Sequence, residues 1–287
     1  MEVIVGKNAG FCGGVVNSFT KTMEILESNK NVHCLGELVH NRVVVDNLKK
    51  LGLKIIDNLD EVMDNSKVII RAHGVAKSVY SDARKRNIQL YDLTCPKVLK
   101  IHEEAERLQK EGYFIVLTAK KTHPEAIGTI SFCGENSIII ENINEVDEVV
   151  SLIKEKAIVK VAVLSQTTFS VLKYQEITDA LKEKLDNKYE LVVKNTICRA
   201  TELRQREVIE LAKEVDVMII LGGKNSSNTK KLYELSKDIC KDTFIIEDVS
   251  DITWDMSSYK RIGLMAGAST PKISIDEVLE YLNKIDV

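Results

Sequence analysis

Three cysteines in this chain stand at the same kind of junction, between an apolar strand-like run and a stretch with helical periodicity. They are Cys12 in AGFCGGV, Cys95 in DLTCPKV and Cys198 in NTICRAT. A polar cluster follows each of them after the same twenty-eight residues, at His40 in VHNRV, His123 in THPEA and Ser226 in KNSSN. Self-similarity of this kind indicates repeated structural units. We therefore predict one α/β unit in three copies.

A second apolar run in each copy also ends in polar residues. These runs are VIIRAHGV with His73, VAVLSQTTF with Thr167 and IGLMAGASTP with Ser269. Alternation of strands and helices predicts βαβ units with mostly parallel sheets. The strand before Cys12 has no unit ahead of it, so we expect it to close the sheet of the last unit. The predicted lobes are 13–96, 97–193 and 194–287, the third completed by 1–12.

Individual elements follow from the same periodicity. The strand-like runs are EVIV, VIIRA, IQLYD, YFIVLTA, VAVLSQ, LVVKN, DVMIILG and IGLMAG, and the helical stretches are 14–28, 97–110, 171–185, 199–214 and 272–285. The prolines Pro96, Pro124 and Pro271 lie beside polar clusters at strand-to-helix junctions. Because proline suits the first turn of a helix, they are expected to mark helix starts.

Composition excludes several classes of protein. The 287 residues are 44% hydrophobic and carry a formal net charge of −3, which supports a large core and argues against nucleic-acid binding through bulk charge. No polybasic run indicates a membrane surface, and the longest apolar runs have strand length. A strand follows Met1 almost at once, so no leader peptide is expected. We predict a cytoplasmic protein whose cysteines remain reduced.

The repeated cysteines allow several interpretations. In open α/β sheets, ligands bind beyond the carboxyl ends of strands and beside helix starts, so three lobes facing one centre would gather three thiolates there. Buried core cysteines are the ordinary alternative, and a zinc site would need a fourth ligand. An iron–sulfur cluster fits the spacing better, because its thiolates are spread around it. Cys34, Cys133 and Cys240 lie away from the junctions and are expected to be core or surface thiols.

The polar clusters predict a pocket rich in hydrogen-bond donors. Its members are His40, His73, His123, Ser226, Ser227, Asn228 and Ser269. Imidazole, hydroxyl and amide groups beside helix starts suit phosphate oxygens, whereas no Walker-type loop for a nucleoside triphosphate is present. His33 and His102 lack such a context and are expected to be solvated or structural.

Glu125 is the one carboxylate in these motifs that could deliver a proton, although a glutamate in a first helical turn often only satisfies the helix dipole. Thr167 could extend a hydroxyl relay to it. For Thr168, capping of the following helix is the expected role.

These segments together resemble the 4-hydroxy-3-methylbut-2-enyl diphosphate reductase family, which performs the last step of the methylerythritol phosphate route to isoprenoids. The resemblance covers essentially the whole chain. It rests on AGFCGGV, LVHNRVVV, RAHGV, DLTCPKV, KTHPEAIG, SQTTFS, NTICRAT, GGKNSSNTKKL and AGASTP, in that order. It implies a three-lobed α/β fold around a central cluster, with the N-terminal strand in the third lobe.

The resemblance also implies roles for individual residues. Cys12, Cys95 and Cys198 would hold a [4Fe-4S] cluster with one iron open to the substrate hydroxyl group. His40, His73, His123, Ser226, Ser227, Asn228 and Ser269 would bind the diphosphate. Glu125, His123 and Thr167 would form the catalytic set, with Glu125 as proton donor and Thr167 organising the hydroxyl group of the substrate or a water molecule beside it.

The implied reaction is a two-electron reductive dehydroxylation that gives isopentenyl and dimethylallyl diphosphate. Electrons would come from a donor such as ferredoxin or flavodoxin, and oxygen would destroy activity because the open iron is accessible to oxidants. Two other functions stay open: an iron–sulfur hydro-lyase acting on a phosphorylated substrate, and a non-catalytic iron–sulfur protein. Dependence on a reductant separates the first from the reductase. Neither nucleic acid nor membrane is an expected partner.

Overall fold

Helices and parallel strands alternate in a computed structural model that describes residues Met1–Ile285. The strands are β1 (Glu2–Val5), β2 (Val32–Leu35), β3 (Lys54–Ile56), β4 (Lys67–Ile70), β5 (Gln89–Asp92), β6 (Phe114–Thr118), β7 (Ser137–Ile140), β8 (Lys160–Ser165), β9 (Glu190–Val193), β10 (Val217–Leu221), β11 (Thr243–Ile246) and β12 (Arg261–Ala266). The helices are α1 (Gly13–Ser28), α2 (Arg42–Lys50), α3 (Lys77–Lys85), α4 (Pro96–Lys110), α5 (Pro124–Cys133), α6 (Val146–Glu155), α7 (Val171–Lys184), α8 (Arg199–Glu214), α9 (Ser227–Lys237) and α10 (Lys272–Ile285).

The strands form three sheets with one shared order. The orders are β3-β2-β4-β5, β7-β6-β8-β9 and β11-β10-β12-β1. In the third sheet, β1 occupies the edge that β5 and β9 occupy in the other two, and it pairs in parallel with β12. The predicted α/β class with parallel sheets is confirmed, and so is closure of the last sheet by the N-terminal strand.

Each sheet is buried on both faces because helices follow its parallel strands. Along β6, Ile115 and Val116 are both fully buried but belong to different apolar clusters, one on each face. Along β10, Ile219 and Ile220 divide in the same way. This is the alternation expected of neighbouring residues in a strand that helices cover on both sides.

The structure contains every helix predicted from the sequence, with bounds within one residue. It adds five helices that the periodicity did not predict: α2, α3, α5, α6 and α9. Pro96 and Pro124 occupy the first turns of α4 and α5, and Pro271 directly precedes α10, so the prolines do mark helix starts.

Internal contacts group the described chain into two compact units. One comprises Met1–Lys30, Glu37–Ile55 and the chain from Arg199 onward, and the other comprises Asn31–Gly36 and Ile56–Cys198. The three lobe boundaries drawn from the sequence therefore stay a prediction. No helix within Met1–Ile285 combines the length and the apolar character that crossing a bilayer requires.

The hydrogen bonds at the two ends of the β1–β12 pairing show which residues of β1 donate to β12. The Glu2 N–H donates to the Lys260 carbonyl (2.8 Å), and the Gly6 N–H donates to the Leu264 carbonyl (2.9 Å). In a parallel ladder, alternate residues of a strand bond to the same neighbour. The N–H of Ile4 therefore points toward β12, and that of Val3 points to the open edge.

Proline substitution tests this closure. We expect Ile4→Pro to lower the free energy of unfolding by about 1–3 kcal/mol more than Val3→Pro, because only the first change leaves a buried carbonyl of β12 without its donor. Urea unfolding of both variants measures the difference. Equal losses would show that β1 does not pair as described.

Candidate functional site

The three junction cysteines are held by the same backbone hydrogen bond. Their N–H groups donate to carbonyls two residues beyond the end of a neighbouring strand. The bonds are Cys12 to Ala268 (3.2 Å), Cys95 to Ala72 (3.0 Å) and Cys198 to Thr167 (3.0 Å), and the strands are β12, β4 and β8. These strands occupy equivalent positions in their sheets. The repeat seen in the sequence is therefore a structural repeat, with one cysteine at the same place in each copy.

The six cysteines fall into two groups by their surroundings. Cys12, Cys95 and Cys198 are partly exposed, and each directly precedes a helix, whose positive end stabilises a negatively charged group placed beside it. The remaining three are buried, and burial raises the pKa of two of them to about 12. These three are Cys34, Cys133 and Cys240. The buried set is poorly suited to binding metal, whereas the junction set has the exposure and the local field that a thiolate ligand needs.

The polar clusters lie at helix starts, as the sequence predicts. His123 caps α5 through its ring, and Ser226 caps α9 through its hydroxyl group. In the first copy the capping residue is Asn41, one position after His40. The equal spacing from the cysteines therefore corresponds to equal structure in two copies and to a shift of one residue in the other.

A close backbone approach brings His73 beside His123. A Cβ atom on Gly128, in the second turn of α5, would lie 3.3 Å from the backbone carbonyl of Val75, two residues after His73. The RAHGV segment can therefore pack directly on α5. The two imidazole rings meet edge to face with their centroids 5.3 Å apart.

Glu125 lies in the first turn of α5 with its carboxylate directed to Thr167. Its side-chain oxygens accept hydrogen bonds from the Thr167 N–H and the Thr167 hydroxyl group, both at 2.6 Å. The residue is only 2% exposed. Burial raises the pKa of Glu125 to about 7, although both bonds from Thr167 favour the ionised form and act against the shift. Glu125 can therefore gain or lose a proton near neutral pH.

The ring of His123 has a defined polarity. Its Nδ1 atom accepts a hydrogen bond from the backbone N–H of Glu125 (3.1 Å). A neutral imidazole that accepts at Nδ1 carries its proton on Nε2, so that atom is a donor. His123 thus caps the helix that carries Glu125 and presents an N–H group that suits an anion.

In the other compact unit, His40 lies against the loop that precedes α9. A Cβ atom on Gly223 would lie 2.2 Å from the His40 carbonyl oxygen, so only glycine permits this approach. The ring of His40 lies 3.7 Å from the Glu37 carboxylate. A cavity of about 290 Å³ has His40, Asn225 and Gly223 among its lining residues.

The start of α9 offers several donors for an anion. Ser227 and Asn228 are its first two residues, so no acceptor within the helix can satisfy their N–H groups. The Nδ2 atom of Asn228 is buried and has no hydrogen-bond partner within Met1–Ile285. A buried amide group without a partner is costly unless a ligand or water completes it. Ser269 is partly exposed in the turn that follows β12.

Two expectations about the second copy of the repeat, which contains Cys95 and His123, need correction. Because Cys198 bonds to the Thr167 carbonyl, Thr167 is in register with Ala72 and Ala268, and Thr168 is the residue in register with His73 and Ser269. Thr168 also does not cap α7. That cap is Ser170, and the Thr168 hydroxyl instead accepts a hydrogen bond from Gln166 Nε2 (2.8 Å).

His102 proves to be structural. It is 4% exposed, stacks on Phe132 with ring centroids 4.1 Å apart, and has its pKa lowered to about 4 because burial disfavours the charged ring. Sequence reasoning passed over other residues that support the site. Gln166 accepts from the Lys120 N–H, and Asp92 accepts from the Thr94 N–H just before Cys95. The position of Asp92 three residues before Cys95 could have predicted this turn from the sequence.

Comparison with known proteins shows similarity to one protein family along nearly the whole chain. A sequence model of the family described as LytB protein matches residues 3–283. A protein of Alkaliphilus oremlandii named 4-hydroxy-3-methylbut-2-enyl diphosphate reductase is 40% identical over 289 residues, which cover 99% of this chain and 100% of the relative. One of the same name from Clostridioides difficile is 36% identical and covers 99% of this chain and 100% of its own.

Solved structures of such reductases share the fold. That of the E-1-hydroxy-2-methyl-but-2-enyl-4-diphosphate reductase from Plasmodium falciparum aligns with a TM-score of 0.89 at 29% identity, over 98% of this chain and 87% of the other. The structure of an (E)-4-hydroxy-3-methyl-but-2-enyl diphosphate reductase, described as the terminal enzyme of the non-mevalonate pathway, aligns with a TM-score of 0.71 at 36% identity over 99% of both chains.

The raised pKa of Glu125 predicts a pH dependence of stability. Because the folded state holds this proton more tightly than the unfolded state, its contribution is complete below pH 4.5 and is lost as the pH rises through about 7. A shift of this size corresponds to roughly 3 kcal/mol. The free energy of unfolding of wild type minus that of Glu125→Gln should fall by about this amount between these pH values in denaturant titrations. A difference independent of pH would mean that Glu125 titrates normally.

Proposed function

Because this chain belongs to the LytB protein family, we propose that it reduces 4-hydroxy-3-methylbut-2-enyl diphosphate to isopentenyl and dimethylallyl diphosphate. The proposal rests on one observation above all: three cysteines occupy equivalent places in a chain that aligns end to end with proteins named for this reaction. The similar proteins described above are all named as reductases of this substrate type, which favours the reductase over a hydro-lyase or an electron carrier.

The junction thiols fit an iron–sulfur cofactor. Cys12, Cys95 and Cys198 would hold a [4Fe-4S] cluster, because they are partly exposed and each precedes a helix whose positive end stabilises an anionic group. When bound, the cluster would pass on two electrons, received one at a time from an external donor, and would offer a Lewis-acidic iron to the substrate hydroxyl group. A zinc site is less suitable, because the sequence contains no close cysteine pair of the kind that such sites use.

Glu125 would provide the proton that leaves with the hydroxyl group. The reaction consumes two electrons and two protons: the carbon–oxygen bond breaks, one proton departs in water, and the other ends on an allylic carbon atom. With a pKa of about 7, Glu125 is substantially protonated at neutral pH and can be reprotonated after each turnover. Thr167 fixes the orientation of the carboxyl group through its two hydrogen bonds, so the proton is presented in one direction.

The polar residues would bind the diphosphate and leave the hydroxyl end of the substrate to Glu125 and Thr167. They are His40, His73, His123, Ser226, Ser227, Asn228 and Ser269. The strongest support comes from the buried Nδ2 of Asn228, which has no hydrogen-bond partner within Met1–Ile285. The imidazole ring of His123 adds a donor at Nε2, because its Nδ1 accepts a hydrogen bond. Phosphate oxygens accept several hydrogen bonds at once, so these groups suit this end of the substrate.

An electron donor is required by the balance of the reaction. We propose a small cytoplasmic electron-transfer protein of the ferredoxin or flavodoxin kind. Exchange of electrons with such a partner needs no membrane and no nucleic acid.

Anaerobic oxidation of reduced methyl viologen tests the function directly. We expect oxidation only when hydroxymethylbutenyl diphosphate is added, and formation of both isomeric products. In the same assay Glu125→Gln should lower turnover about a hundredfold while iron content stays at the wild-type level, because only the proton donor is lost.

Glu106→Gln is the matched control for this variant. It makes the same change in the same unit, but Glu106 is partly exposed and pairs with Lys77 at 2.5 Å. Turnover near wild type in Glu125→Gln would mean that Glu125 is not the proton donor and only satisfies the start of its helix. An absence of viologen oxidation by iron-replete wild type would refute the reductase function.

A further inference from the structure

Two of the three junction cysteines follow a turn that is fixed by its own side chain. The Oδ1 atom of Asp92, three residues before Cys95, accepts the Thr94 N–H at 3.0 Å. The Oδ1 atom of Asn195, three residues before Cys198, accepts the Ile197 N–H at 3.0 Å. Such Asx turns set the direction of the chain locally, without help from other elements.

The turn before Cys12 has no such residue. The equivalent position, three residues before the cysteine, is Ala9, whose methyl group accepts no hydrogen bond. The copy that begins the chain must therefore fix its cysteine in another way.

Helix α8 supplies the missing bonds from a distance of almost two hundred residues. The Nη2 atom of Arg204 donates to the Gly10 carbonyl at 2.6 Å, and its Nη1 atom donates to the Ala200 carbonyl at 2.9 Å. One turn further along α8, Glu207 accepts the N–H groups of the same loop. Its Oε1 accepts from Lys7 N–H at 2.6 Å, and its Oε2 accepts from Asn8 N–H and from Asn8 Nδ2, both at 2.9 Å.

Arg204 and Glu207, with the loop 7–10 that they hold, form what we call the α8 clasp. Their spacing of three residues places both side chains on one face of α8. Arg204 is only 4% exposed, although a guanidinium group is always charged and costs several kcal/mol to remove from water. Because burying a charge is costly, Arg204 is unlike a residue that serves only to stabilise the fold. Its guanidinium group instead contacts the Gly10 carbonyl, in the segment that leads into Cys12.

We propose that Arg204 and Glu207 are positioning residues that hold Cys12 in the geometry needed to ligate iron, in place of the Asx turn found before the other two cysteines. The clasp then determines how long the cluster is retained. This inference rests on the proposed function, because it presupposes a cluster at Cys12. Partners that orient metal ligands are typically worth ten- to a hundredfold in metal affinity.

Retention of the cluster in anaerobically purified protein is the measurement. An iron chelator is added, and the loss of the visible absorbance of the cluster is followed together with protein-bound iron. We expect Arg204→Met to lose its cluster about ten- to a hundredfold faster than wild type. Arg204→Lys should be intermediate, since an ammonium group keeps the charge but cannot bridge the Gly10 and Ala200 carbonyls as the planar fork does. Cys12→Ser marks complete loss of the ligand.

Arg86→Met is the matched control for destabilisation. Arg86 also ties a loop to the core: it donates to the Asp64 carboxylate at 2.8 Å and the Leu59 carbonyl at 2.7 Å, and it bonds the Val62 carbonyl as well. Its loss should lower the free energy of unfolding, as we also expect for loss of Arg204, but leave the rate of cluster loss at the wild-type value. Equal rates in the two methionine variants would overturn the proposal.

Glu207→Gln covers the case in which Arg204→Met does not fold. Glu207 is partly exposed, and the change keeps one oxygen acceptor while turning an NH₂ group toward the loop donors. We expect cluster loss several times faster than in wild type, and an unchanged rate would contradict the clasp. A wild-type protein that never carries iron would instead overturn the proposed function itself. If the wild type is iron-replete and all these variants lose the cluster at the same rate, only the proposed role of the α8 clasp is refuted.

Discussion

One backbone hydrogen bond, made three times, underlies the rest of this structure. The N–H of each junction cysteine donates to a carbonyl just beyond the strand beside it, so the sheet fixes where the backbone of the cysteine lies. The turn that leads into each cysteine is held separately, by an Asx turn in two copies and by Arg204 and Glu207 in the copy that begins the chain. Because the three sheets share one strand order, the same bond recurs in each copy. The N-terminal strand completes this pattern by taking the edge of the last sheet, and without it the first cysteine would have no strand from which to extend.

The polar residues around the site are placed by a second repeated device, the start of a helix. His123 and Ser226 cap α5 and α9, and the buried Glu125 and Asn228 follow each cap by two positions. One copy thus places a carboxylate where another places an amide. Burial raises the pKa of the carboxylate to about 7, and the amide nitrogen has no hydrogen-bond partner within Met1–Ile285. We propose that these equivalent positions serve proton transfer in one copy and anion binding in another.

The α/β class, the repeat of the cysteine junctions and five of the helices could be predicted from the sequence. Each of them leaves a pattern in short stretches of sequence, such as the spacing of a motif or the periodicity of a helix. The sequence analysis missed the strands β2, β3, β7 and β11, each of which has three or four residues. Thr168 was wrongly assigned as a cap, because Ser170 is an equally good capping residue two positions later and the sequence does not rank them. Arg204 and Glu207 gave no signal at all, since their partners lie some two hundred residues away.

Mössbauer spectroscopy of iron-57-labelled, anaerobically purified protein shows whether three cysteines alone hold a four-iron cluster, because it counts iron sites and reports on each. We expect a four-iron cluster in which about one iron in four differs from the rest and changes on addition of hydroxymethylbutenyl diphosphate. Four irons that respond alike, or iron that does not respond to the substrate, would contradict a cluster held by Cys12, Cys95 and Cys198 alone.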